Sequence, residues 1–389
     1  MRMTLTIPAD NLWAFAAVWL ALATAAAFIA RRVGLAAALV EILLGVLAGN
    51  LIGLRSTAWV DFVAGFGSIM LTFLAGAEIE PAVLRRQLKP AAVIGAISFF
   101  APFLAAMAYA FFVAHWSVDA AKIAGIAMST TSVAVVYAVM VETRLAGTDF
   151  GQLILAACFI TDLGTVVALG LLFANYNGWL ALLVVAIVVS IIFVPKVLPA
   201  VFDRTSRWVS EPGLRLMFLI IVVLSAIATA AKSEGVLPAY FLGLACAGFL
   251  FANSDVSRRL RSMTMGFLTP FYFLKAGTLV SFSAAIAGIG AIVAFFAVKV
   301  VAKCLGVFPA ARAFRHSPKN AGYITLMMAT GLTFGTISSL YGLTHHYINQ
   351  AQYTALVTVV ILTALVPTIV AQTFFHPAEL VDPEERGVP

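Results

Sequence analysis

Repeated runs of about twenty apolar residues constrain this chain more than any other feature, because each is long enough to cross the hydrocarbon core of a bilayer as a helix. Inside lipid no water satisfies a bare N–H or C=O, so a spanning segment is a helix or a strand of a closed barrel. A barrel would show alternating segments of about ten residues, and none appear in this sequence. Residues are 62% apolar and 11% charged, whereas soluble domains carry about 25% charged residues. The expected class is therefore an all-α, multi-pass membrane protein.

Polar punctuation divides the runs into thirteen expected spans: 12–30, 34–54, 58–77, 90–114, 120–141, 150–174, 179–201, 214–232, 236–252, 266–282, 284–308, 321–341 and 352–374. Only the Ser281–Ser283 region and Gly288 separate 266–282 from 284–308. Loops after odd-numbered spans hold sixteen Lys and Arg residues, among them Arg31, Arg32, Arg258 and Arg259; the opposite side holds four, Arg2, Arg55, Lys122 and Lys232. Short cytoplasmic loops gather basic residues, so the amino terminus is expected outside and the carboxyl terminus inside, in a bacterial-type inner membrane. The first span has neither the basic flank nor the cleavage pattern of a signal peptide. The net charge of +7 is dispersed over these loops, which argues against a nucleic-acid partner. Cys158, Cys246 and Cys304 stand singly in apolar runs, without disulfide or metal spacing. No cofactor is expected. About fifteen residues follow the last span, so regulation is expected within the membrane unit or from a separate subunit.

Ionisable groups in hydrocarbon cost several kcal/mol and survive by pairing or by facing a cavity. Those expected at depth are Asp162, Lys275, Lys299 and Lys303, with Glu41 and Glu78 nearer span ends. Asp162 sits at the middle of the sixth span with roughly three apolar turns on each side. A buried carboxylate there is neutralised by a proton or by a metal cation, and that competition is the minimal chemistry of an antiporter. The plainer alternative is an Asp tied permanently to a lysine.

The fifth span carries Ser129-Thr130-Thr131-Ser132 at mid-membrane depth, and the twelfth carries Thr330, Gly331, Thr333, Gly335 and Thr336. Such hydroxyls can bond back to the preceding turn, and such glycines can permit close packing. Alternatively both helices are unwound there and offer oxygen ligands to a hard cation. The two interruptions occupy equivalent places if spans 2–6 and 9–13 are repeats, which must then be inverted. Lys299 and Lys303, four apart, share one helix face; either could neutralise Asp162, although Lys303 could also snorkel to the interface. His345-His346 is expected to be a solvated pair. With no acidic metal-binding cluster or His-rich motif, an enzyme is not expected.

Several segments resemble the second branch of the monovalent cation:proton antiporter superfamily, which includes NapA-like sodium/proton antiporters and the membrane part of Kef potassium efflux systems. They are Val40-Glu41-Ile42-Leu43-Leu44-Gly45, Phe73-Leu74-Ala75-Gly76-Ala77-Glu78-Ile79, Ser129 through Val136, Thr161-Asp162 and Lys303-Cys304-Leu305-Gly306. The resemblance implies that Asp162 carries the proton and the cation, with Thr161 as its neutral companion and Lys303 as its charge partner, Lys299 being the alternative. It implies crossed, unwound helices at Thr130 through Ser132 and Ala329 through Thr333, so that Asp162, Thr161, Thr130, Thr131, Ser132 and Thr330 line the path of the transported Na+ or K+. It further implies one transmembrane domain over 1–379 with a tail at 380–389. Core spans would lie at 90–174 and 284–374, a dimeric scaffold at 12–77 and 214–282, and a linking span at 179–201. The pattern departs from the family in three places: Thr161 replaces Asn or Asp, Ala329-Thr330-Gly331-Leu332 replaces a Pro-Arg-Gly-Glu-like segment, and Lys275 stands where a neutral residue is common.

The expected function is antiport of Na+ or K+ against H+ by an elevator-type movement of a homodimer. One acid implies one-for-one, electroneutral exchange. The alternatives are a Kef-like gated potassium channel, which would need a continuous row of coordinating groups, and a solute symporter of similar inverted-repeat fold.

Overall fold

The computed structural model describes residues 12–33, 36–77, 81–145, 148–173, 177–205, 210–231 and 235–377. Glu78, Lys232 and the tail at 380–389 lie outside them. All regular structure among the described residues is helical, in the order α1 (Leu12–Val33), α2 (Ala37–Leu47), α3 (Ala58–Ala77), α4 (Pro81–Ala108), α5 (Val118–Ser129), α6 (Val133–Glu142), α7 (Asp149–Leu172), α8 (Gly178–Thr205), α9 (Pro212–Ala230), α10 (Val236–Ala252), α11 (Ser254–Met263), α12 (Thr269–Thr278), α13 (Phe282–Ala287), α14 (Ile289–Ala313), α15 (Pro318–Ala329), α16 (Thr333–Thr344) and α17 (Gln350–Phe374). Wider π-helical turns extend α2 and α4 and join α11 to α12.

Among the described residues, nine helices are long and apolar enough to cross a membrane, and Ala37–Ile52 and Val236–Ala252 are shorter apolar helices. The expected span at 266–282 instead belongs to a run that starts in α11, where Arg258, Arg259 and Arg261 make the surface polar, and continues through a π-helical turn into the ten-residue α12. The expected span at 284–308 becomes the short α13 and then α14, the two separated at Gly288.

Element order recurs at an interval of about 200 residues. Helices α5 and α15 start at 118 and 318 and end at 129 and 329. Their N-caps are Ser117 and Ser317, whose side chains accept from Ala120 N and Asn320 N. Helices α6 and α16 start at 133 and 333, and α7 and α17 at 149 and 350. A serine at the N-cap satisfies one of the first orphan N–H groups, so the same local chemistry starts both halves of this motif.

The chain forms two compact units. One comprises Ala58–Arg85 and Val166–Tyr272; its core packs Phe73 and Leu74 of α3 against Leu242 and Cys246 of α10, with Leu198 of α8 and Leu214 and Ile221 of α9. Helices α3 and α10 touch backbone to backbone, because a methyl on Gly243 would overlap the Phe73 carbonyl oxygen and one on Gly76 the Tyr240 carbonyl oxygen. Helix α8 leaves Val184, Val185, Phe193 and other apolar side chains exposed, as a surface solvated by lipid does.

The other unit comprises Met1–Thr57, Arg86–Thr165 and Phe273–Pro389. Within it α2 and α12 make the same kind of crossing, with Gly45 against the Leu274 carbonyl and Gly277 against the Ile42 carbonyl. The stretch Pro318–Thr344 is 94% buried over its most apolar window. Burial of that degree makes α15 and α16 the centre of this unit.

Candidate ion site

Both expected interruptions are breaks in the helical backbone. Helix α5 ends at Ser129 and Thr130 is extended, with φ −63° and ψ 151°; helix α15 ends at Ala329 and Thr330 takes φ −63° and ψ 140°. Each break carries a local hydroxyl bond. Thr130 Oγ1 donates to Ala127 O at 3.1 Å and Thr330 Oγ1 to Met327 O at 2.8 Å, so each hydroxyl takes the place of a backbone donor at its helix end. Ser132 Oγ then accepts from Val135 N at the start of α6.

A break in a buried helix leaves main-chain carbonyls that need donors, and here side chains supply them. Lys303 of α14 donates to Ser129 O at 2.9 Å, to Ser98 Oγ of α4 at 2.6 Å and to Thr131 Oγ1 at 3.3 Å. Thr131 Oγ1 in turn donates to Met328 O at 2.9 Å, joining the two breaks. Thr130 faces the second interrupted helix as well: a methyl on Gly335 would lie 3.0 Å from its Oγ1.

Asp162 is 1% exposed, and its Oδ1 has no hydrogen-bond partner. Lys303 lies within electrostatic reach, but its ammonium is spent on the three oxygens of α4 and the first break. One turn before Asp162, Cys158 Sγ lies 3.8 Å from Met328 Sδ at the second break. Thr161 turns its hydroxyl to Ala157 O at 3.0 Å and to Gly95 O at 3.4 Å, leaving its lone pairs as acceptors. Lys299 donates to Thr363 Oγ1 of α17 at 3.3 Å.

The structure thus buries Asp162, Thr161, Thr130, Thr131, Ser132, Thr330, Lys299 and Lys303 within one unit. Lys303 does not snorkel, since it is fully buried and held from three sides. Glu41 and Lys275 lie on α2 and α12. Ser98 and Thr363 belong to it and were not expected. Thr363 is the fourteenth residue of α17, counted from Gln350, as Asp162 is of α7, counted from Asp149. Among the described residues, no group of three or more His, Cys, Asp or Glu could hold a metal ion.

Thr131→Ala removes the donor to Met328 O and one of the three Lys303 acceptors. A buried carbonyl left unsatisfied costs about 1–3 kcal/mol, so this variant is expected to lower the unfolding temperature by several degrees. Unfolding followed by fluorescence of the purified protein checks it.

The chain is 25% identical over 371 residues to the Na(+)/H(+) antiporter of Enterococcus hirae, covering 90% of this chain and 94% of that protein. It is 27% identical over 263 residues to YjbQ of Bacillus subtilis, of which the match spans 42%. Its fold is that of the sodium proton antiporter MjNhaP1 from Methanocaldococcus jannaschii, with a TM-score of 0.69 at 18% identity over 94% of this chain and 97% of that one. The profile of the sodium/hydrogen exchanger transmembrane family matches residues 18–376, and the chain belongs to that family, one of transporters and not of enzymes.

Proposed function

We propose that this chain is a secondary antiporter that exchanges Na+ or K+ for H+ at Asp162. The observation that carries the proposal is a carboxylate 1% exposed with an unpartnered oxygen, one turn after a cysteine that meets the second interrupted helix at Met328. In a buried site a carboxylate without a counter-charge is costly, so it holds either a proton or a cation, and each expels the other. The Enterococcus hirae relative, named as an Na(+)/H(+) antiporter, supports sodium as the cation.

Alternating access then comes from an elevator-type movement of the core that contains the broken helices, in a homodimer with the amino terminus outside a bacterial inner membrane. The 200-residue recurrence supports thirteen spans arranged as two inverted repeats. The test is a proteoliposome assay with an internal pH dye, adding Li+, Na+, K+ or Rb+ in turn. A pH change selective for Na+ or K+ supports antiport, and silence toward all four overturns it.

Exchange is expected to be one for one. With Asp162 as the titrating acid, its proton-loaded and cation-loaded forms carry equal charge. Supported-membrane recording under a Na+ gradient should therefore show no sustained current while the pH dye reports turnover. A current that vanishes in Lys303→Gln would instead assign a second proton to that lysine.

A further inference from the structure

Lys299 stands one turn before Lys303 on α14 and donates to Thr363 rather than to the carbonyl of the first break. It is fully buried, and its ammonium crowds the second break so closely that a methyl on Gly331 would overlap Nζ. The same methyl would stand 3.2 Å from Thr130 Oγ1 and 3.3 Å from Thr363 Oγ1. The ammonium therefore lies in the gap left by the missing side chain at 331, beside hydroxyls from both the first break and α17. Thr363 gives its own proton to Val360 O at 3.0 Å, which leaves a lone pair free for Lys299.

Thr363 and Asp162 hold the same place in their helices, thirteen residues after the first residue of α17 and of α7 (363 − 350 and 162 − 149). Where the first half presents a carboxylate, the second presents a hydroxyl with a cationic group already docked on it. We propose that Lys299 is a built-in cation: it fills the counterpart of the ion site in the second half and holds down the affinity of the Asp162 site for the transported ion. The proposal rests on Asp162 being the ion-binding carboxylate. Lys299 and Lys303 already act on one another electrostatically, and a cation on Asp162 adds a third positive charge where the low dielectric screens little. Lys299 is in this sense a positioning residue that acts on the Asp162 site through its neighbour Lys303, and Thr363 is the anchor of its ammonium.

Two substitutions then act with opposite sign. Removing the charge in Lys299→Gln is expected to lower the Kd for Na+ about tenfold, as the loss of one nearby like charge in a buried site does. Lys299→Arg keeps the charge and should keep the Kd near that of the unaltered protein. Thr363→Val removes the oxygen that holds the ammonium at the second break, frees that charge to move toward Lys303 and the Asp162 site, and should raise the Kd several-fold. The measurement is calorimetric titration of the full-length, detergent-purified protein with NaCl at constant ionic strength, repeated with KCl, alongside the liposome assay.

A Kd that falls in Lys299→Gln, holds in Lys299→Arg and rises in Thr363→Val establishes the role. A Kd that shifts equally in Gln and Arg means Lys299 merely fills space, and overturns it; so does an unchanged or raised Kd in Lys299→Gln. If Lys299→Gln does not fold, Thr363→Val decides alone, with an unchanged Kd counting against the proposal. An unaltered protein that binds neither ion and exchanges neither sinks the antiport assignment and this proposal together. Ion binding that is intact but indifferent to Lys299 sinks this proposal only.

Discussion

Asp162→Asn is expected to reduce cation-driven proton movement in proteoliposomes to the level of protein-free vesicles while leaving a folded protein. The amide has the shape of the carboxyl group but neither ionises nor neutralises a cation, so both loaded states of the carrier are lost together. Folding should survive, because no ion pair within 4.0 Å joins Asp162 to a base among the described residues, and the Lys303 ammonium keeps its bonds to Ser98, Ser129 and Thr131. Removing a buried charge that lacks a direct partner also avoids the 3–5 kcal/mol or so that breaking a buried pair costs. Asp162→Glu, which retains the acid on a longer arm, should keep measurable exchange. Near-normal antiport in the Asn variant would move the carrier elsewhere in the fold.

Gly277→Val is expected to abolish recovery of folded protein. Its side chain would grow into the Ile42 carbonyl, with Val46 N and Gly45 Cα close behind. All three are backbone atoms of a helix that cannot swing aside as a side chain does. Overpacking against side chains costs about 1–3 kcal/mol; here the helices α2 and α12 must separate along their length, so the cost exceeds that range. Gly290→Ala on α14, where nothing lies within 4 Å, is the control and should purify normally, since alanine favours the helix by about 1 kcal/mol over glycine. Size-exclusion chromatography of the two variants checks the difference. A monodisperse, normally melting Gly277→Val protein would mean that the α2–α12 contact is not a determinant of folding.

What the sequence determined by itself was whatever depends on short stretches of chain. Hydropathy placed the apolar helices, because crossing lipid requires about twenty consecutive apolar residues whatever surrounds them. The breaks near Thr130 and Thr330 were legible as clusters of hydroxyl residues and glycine at mid-span in otherwise apolar runs, one of the two readings such clusters allow. Asp162 stood out because it lies in an apolar run whose solvent tolerates no bare charge.

Tertiary structure decided the rest. Spacing put Lys299 and Lys303 on one face, but which oxygens each meets depends on α4, α5 and α17, whose contacting residues lie 64 to 205 positions away in sequence. Single hydroxyls such as Ser98 and Thr363 carry no local mark of their role, since most membrane hydroxyls simply bond to their own helix. The passage from 266 to 308 was misjudged at its boundaries because apolar residues run through most of it, whereas the turn that separates α12 from α13 is stabilised by distant partners. Val280 O accepts from Asn50, Phe282 N donates to Asn50 and Ser281 N to Thr354. A hydrogen bond between residues hundreds of positions apart exists only once packing has brought them together, and local sequence holds no record of that partner.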